Sequence, residues 1–151
     1  MTPESYQVFP VGIVHKADDA TRIEVYKPYE AALLGLDGFS HITVLYWFHQ
    51  NDTPELRATL RVHPRKNRGN PLTGVFATHS PVRPNLIATT PCEILHIDDL
   101  SIFIDEIDAR DGSPVIDIKP YIPIDKLAAS KIKTPAWVSA PRGNNSEKEP
   151  D

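Results

Sequence analysis

His41-Ile42-Thr43-Val44-Leu45-Tyr46-Trp47-Phe48 holds the longest uninterrupted apolar run of the chain, Val44 to Phe48. Aromatic and β-branched residues dominate it. Its near-continuous apolarity predicts a strand covered on both faces. The run falls far short of the roughly 18 residues that a membrane-crossing helix needs. Further strands are expected at Leu60 to His63, Gly74 to Thr78, Leu86 to Ile97, Ser101 to Ile107 and Val115 to Ile118. The pair Asp98-Asp99 suits a tight hairpin turn, and Arg110-Asp111-Gly112-Ser113-Pro114 a second one. One helix is expected: Pro28 in its first turn, Glu30 near the positive end of the dipole, Ala31 to Leu34 within and Gly35 closing it. Short strands with frequent turns point to a small barrel or sandwich.

Composition narrows the choices. Fifteen prolines are spread along the 151 residues and confine regular structure to short pieces, which excludes long helical bundles. Seven glycines include no Gly-x-Gly pair, so neither a dinucleotide fingerprint nor a Walker loop is present. The single Cys92 permits no internal disulfide and reads as a small core residue. His15, His41, His63 and His96 have no ligand-type spacing, so no metal is expected. Met1 to Ser5 shows neither the basic nor the apolar region of a secretory signal, which gives a cytoplasmic expectation with no membrane contact. After Val138 the chain turns to Pro, Gly, Asn, Ser, Glu and Lys. One domain is therefore expected over 1–139, with a disordered tail over 140–151.

Charge is unevenly placed. Leu56 to Cys92 contains no acid, while Arg57, Arg61, Arg65, Lys66, Arg68 and Arg83 are basic; Glu93 to Asp125 then carries nine acids against Arg110 and Lys119. Such a division fits a surface meeting a polyanion, or equally two solvated faces that happen to segregate. Within the basic span, His79-Ser80-Pro81-Val82-Arg83-Pro84-Asn85 is stiffened by its prolines and displays groups able to bind a carboxylate, a phosphate or a base edge. The alternative is a rigid corner of the fold.

Four segments in order, Gly35 to His41, Tyr46 to Gln50, Gly74 to Thr78 with Ser80 to Asn85, and Asp111 to Tyr121, resemble the TsaA-like family that includes the TrmO tRNA methyltransferases. The resemblance spans about residues 8–125. It implies a small antiparallel β-barrel that binds S-adenosyl-L-methionine, works as a homodimer and methylates N6 of threonylcarbamoyl-adenosine 37 in tRNA. It further implies cofactor contacts from His49 and Gln50, from His79 (arginine in the family), from Thr89, and from Asp105, Glu106, Ile107 and Asp108. Arg65, Lys66, Arg68, Ser80, Arg83 and Asn85 are then expected on the tRNA side. The loop departs from the family's Arg-Ser-x-x-Arg-Pro-Asn-Pro-Ile-Gly by Leu86 for Pro and Ala88 for Gly. The segment after the first strand, Val14 to Ala20, is shorter than the family's. Methylation of a small molecule, and a binding module without chemistry, are the other readings.

Overall fold

A computed structural model describes residues 3–124 and 127–140, so the tail expected at 140–151 lies outside the described residues but for Ala140. The described contacts group into two units, one formed by residues up to Gln50 with Leu86–Tyr121, the other by Asn51–Asn85 with the residues from Ile122 onward.

The first unit is the barrel. Its strands are β1 (Gly12–Lys16), β2 (Thr21–Val25), β3 (His41–Trp47), β6 (Ile87–Asp98), β7 (Ser101–Ile104) and β8 (Pro114–Pro120); β4 and β5 belong to the second unit. They close in the order β1-β2-β7-β6-β3-β8, every neighbouring pair antiparallel. The expected antiparallel barrel is the observed fold. Closure leaves no free sheet edge around the core. The aromatic strand sits between β6 and β8, with Leu45 opposite both Thr89 and Asp117. Ile42, Val44 and Tyr46 point inward and are buried, alternating with half-buried Thr43, Leu45 and Trp47. They meet Val14, Ile23, Ala88, Cys92, Ile102, Ile104 and Val115 in one core.

Several expectations shift in detail. The first strand, β1, runs on through Lys16, so Val14 to Lys16 of the segment read as following it are strand, and β2 is additional to those read from the sequence. The helix expected from Pro28 is a 3-10 stretch, Lys27–Leu33, and Gly35 follows it in the left-handed conformation with φ 86°. None of its residues is buried, so no apolar face holds it to α geometry. Strand β7 ends at Ile104, short of Ile107. Its partner β6 shifts register between Ile94 and His96, and the carboxylate of Asp105 accepts from the Glu93 N–H at 2.9 Å, ending regular pairing there. At the other end of β7, Asp99 takes a positive φ of 52° in the tight turn expected at Asp98-Asp99.

The second unit contains the α1 helix (Pro54–Arg57), the two-stranded ribbon of β4 (Arg61–Val62) and β5 (Thr73–Gly74), and α2 (Ala136–Ser139). Thr53 caps α1 by accepting from the Leu56 N–H at 3.3 Å, with proline at the first helical position. Gly74 to Thr78 was expected as a strand and is one only at Gly74. Val75–Ala77 instead forms a 3-10 turn, closed by the Thr78 N–H on the Val75 carbonyl at 3.2 Å. The Thr78 hydroxyl donates to the same carbonyl at 2.9 Å, and this local bond competes with continued pairing.

Candidate functional site

The strand order dictates where the acidic segment goes. In the closed ring β7 and β8 lie two strands apart in either direction, and Asp105 to Ser113 bridge them: Asp105 bonds to Glu93 on β6, while Gly112 and Ser113 exchange backbone hydrogen bonds with Val14 on β1. His49 and Gln50 follow β3 in a 3-10 turn, and the Phe48 N–H donates to the Leu86 carbonyl at 2.9 Å. Of the acidic segment, Asp108 acts on Tyr46 near the end of β3, whereas Asp105 is bonded to Glu93, opposite His41 at the start of β3.

The crossing segment is anchored by its apolar members. Ile107 and Ala109 are 4% and 3% exposed and belong to the core, while Asp105, Glu106 and Asp108 are exposed. The Ile107 side chain therefore serves packing. Its carbonyl accepts from Lys16 Nζ at 2.6 Å, and the Lys16 N–H donates to Asp111 at 2.8 Å. Ser113, also buried, donates its hydroxyl to the Arg110 carbonyl at 2.7 Å. Burial of alternate residues fixes the backbone and turns three carboxylates outward.

Electrostatics follow from that arrangement. Asp105 is held below the usual carboxylate range by the Glu106 N–H first and by the N–H of Glu93 as well, so it is ionised at neutral pH. Behind the segment, Tyr46 shares a hydroxyl hydrogen bond of 3.0 Å with Thr90. Burial raises the Tyr46 phenol, and the nearby Asp108 charge raises it further, so it keeps its proton. Cys92 is pushed up to about 12, by burial first and then by the charges of Asp105 and Glu106. It is a packed thiol with a weak bond to the Thr90 carbonyl at 3.6 Å, not a nucleophile. Cys92 should accordingly react with an aromatic disulfide reagent at pH 8 only on unfolding; labelling of the native protein within seconds would contradict this.

Thr89 lies on β6 opposite Leu45 with its side chain exposed. His49 is half-buried and Gln50 exposed. Lys16, Tyr46 and Thr90 also contribute here through partners 91 and 44 residues away; of the three only Tyr46 stood in a motif segment, and its bond to Thr90 was not legible there.

The proline-rich loop belongs to the second unit. Arg83 is half-buried, and its guanidinium donates to the carbonyls of Thr78 and Ser80, both at 3.2 Å. The Ser80 hydroxyl accepts from the Val82 N–H at 3.2 Å, and Thr78 from the Ser80 N–H at 3.1 Å. These bonds clasp the loop upon itself. His79 and Asn85 are exposed on it. Arg57 ties the loop's end to α1 through the Pro84 carbonyl at 2.9 Å.

Of the basic residues, Arg65, Lys66 and Arg68 are exposed. Arg65 donates to the carbonyls of Val138 and Ala140, with its guanidinium 5.9 Å over the Trp137 ring. It fastens the C-terminal segment that carries Trp137. Arg65 and Lys66 both take positive φ, 59° and 52°, in a turn closed by Asn70 on the Pro64 carbonyl at 2.9 Å. Among the described residues no cluster of three or more His, Cys, Asp or Glu could hold a metal ion, and no helix is long and apolar enough to cross a membrane.

Known proteins share this organisation. A probable S-adenosyl-L-methionine-binding protein of Methanocaldococcus jannaschii is 43% identical over 127 residues, covering 84% of this chain and 99% of its own. The tRNA (adenine(37)-N6)-methyltransferase of Escherichia coli is 38% identical over 118 residues, covering 74% of this chain and 48% of the enzyme. The chain thus spans about half the length of that enzyme. A crystal structure of TrmO from Pseudomonas aeruginosa superposes with a TM-score of 0.68 at 26% identity, covering 93% of this chain and 66% of that one. Since the model of the tRNA-methyltransferase O N-terminal domain matches residues 6–126, barrel and inserted unit alike, the chain belongs to that family.

Proposed function

We propose that the protein is an S-adenosyl-L-methionine-dependent methyltransferase whose methyl acceptor is N6 of threonylcarbamoyl-adenosine 37 in tRNA. We propose further that it acts as a cytoplasmic homodimer, with residues 1–139 as its functional domain. The observation that supports the reading is an acidic segment, packed on the barrel through Ile107 and Ala109, whose Asp108 charge acts on Tyr46 near the end of β3, two residues after which His49 and Gln50 follow.

The donor set fits the cofactor's chemistry. S-adenosyl-L-methionine supplies an electrophilic methyl group on a sulfonium, and it also bears an ammonium and ribose hydroxyls. Asp105, Glu106 and Asp108 offer carboxylates against those positive charges and hydroxyl donors, and Asp105 is ionised at neutral pH. Gln50 and Thr89 add neutral polar groups. The crossing segment is fixed by Ile107, Ala109 and Lys16, so the carboxylates are already in place before a ligand arrives. Transfer of a methyl group rests mainly on alignment, which a rigid rim supplies without a strong base.

In the second unit, Arg65, Lys66, Arg68, Ser80, Arg83 and Asn85 are assigned to the tRNA side, with His79 toward the cofactor. Arg65 and Arg83 hold neighbouring backbone in place, so we assign them to shaping that surface.

Two measurements test the proposal. Incubation with tRNA and S-adenosyl-L-methionine should yield a methylated adenosine 37 by nucleoside mass spectrometry. Calorimetric titration should show binding of the cofactor, weakened in Asp108→Ala by about 1–3 kcal/mol if its carboxylate accepts a sheltered hydrogen bond. Binding without methylation of any tRNA would favour the binding-module reading, and equal affinity in the variant would remove Asp108 from the site.

A further inference from the structure

Phe76 is the most exposed aromatic of the second unit, with 84% of its surface open. It is not on a loose tip. Its neighbour Val75 is 2% exposed and donates its N–H to the Leu60 carbonyl at 2.9 Å, while Thr78 closes the turn from the other side. A buried residue before it and a hydrogen-bonded turn around it hold the ring outward. Gly74 faces Arg61 in the ribbon and carries no side chain; a Cβ there would meet nothing nearer than the Leu60 carbonyl oxygen at 3.9 Å. The ribbon beside the ring is therefore bare backbone with a guanidinium-bearing residue across from it. Leu60 and Leu72, which immediately precede the two ribbon strands, are 58% and 54% exposed.

We propose that Phe76 is a stacking platform for an unpaired nucleobase of the RNA substrate. The inference rests on the tRNA reading above and assigns a base-contacting residue within it. Charge selects this occupant. Within the second unit the stretch from Leu56 to Asn85 lacks any Asp or Glu and carries six cationic side chains, of which Arg57 pairs with Asp52 just outside it, so this part of the chain suits a polyanion. An isologous contact through this stretch would set its cations against those of its own copy, opposing like charges. Anticodon-type loops present unstacked bases, and an aromatic ring held by rigid backbone takes such a base with little ordering cost.

The test uses the full chain and an RNA hairpin with 2-aminopurine in its loop, titrated at low salt. Stacking on Phe76 quenches the fluorophore. Phe76→Ala should lose the quenching and weaken RNA binding about tenfold, Phe76→Trp should restore both, and cofactor affinity should not change. Unchanged quenching and affinity in Phe76→Ala, with RNA still bound, would overturn the inference and leave the functional reading standing. No RNA binding by the parent protein at low salt would remove the tRNA reading and this site with it. A dimer that dissociates in Phe76→Ala by sedimentation, at constant RNA affinity, would assign the ring to self-association and overturn the proposal.

Discussion

Gly12→Ala should lose about 3 kcal/mol of folding stability, the largest effect expected from adding a single methyl group to this chain. Gly12 is buried in β1 at the barrel's closing seam, opposite Val25 on one side and Val115 on the other. A Cβ there would stand 2.4 Å from the Glu24 carbonyl oxygen, 3.2 Å from its carbon and 3.3 Å from the Val25 Cα. All three are backbone atoms of a paired strand and cannot rotate away. Relief requires moving β1 from β2, which disturbs β2's pairing with β7 in turn. Denaturant unfolding should show a lower midpoint with an unchanged slope. A loss below about 0.5 kcal/mol would mean the seam is looser than its geometry indicates.

Ile107→Ala should lose about 2–4 kcal/mol of stability, the usual range for emptying a well-packed site. Cofactor affinity should fall in the same variant. Ile107 is the apolar anchor between two outward carboxylates, and without it the crossing segment can lift although Lys16 still holds its carbonyl. Ile102→Ala on β7 supplies the contrast: its side chain is fully buried, so stability should fall similarly, yet no candidate contact to the cofactor lies beside it in sequence. Unfolding curves and calorimetry on both variants decide the matter. Equal affinity losses would show that a weakened barrel, not the crossing segment, governs binding.

Local patterns were legible wherever residues depend on sequence neighbours. The run from His41 to Phe48 declared a strand, because β-branched and aromatic side chains favour extended backbone, but the cover expected on both faces is full on one only: Thr43, Leu45 and Trp47 are half-buried. Asp98-Asp99 declared a turn, and the acid-free span declared itself by composition. The four motif segments declared the family, and through it the barrel. Hydrophobic alternation alone left barrel and sandwich equally open.

Closure and the site's construction were decided only in three dimensions. Gly12 and Lys16 carry no special local signal, and Tyr46 shows in the sequence only as one aromatic of its strand and motif. Their roles arise from Glu24, from Ile107 and from Thr90, partners brought up by strand order. Arg83 and Arg65 read as displayed cations, yet each spends hydrogen bonds on backbone carbonyls of its own unit, since a guanidinium's several donors favour any nearby unpaired acceptor. The strand expected through Thr78 became a turn because one hydroxyl offered the Val75 carbonyl a closer partner than a neighbouring strand could. The sequence by itself therefore determined the central strand, the turn at Asp98-Asp99 and the family. The tertiary structure decided which side chains meet, because a hydrogen bond or a steric contact acts over a few ångströms of space regardless of the residues between its partners.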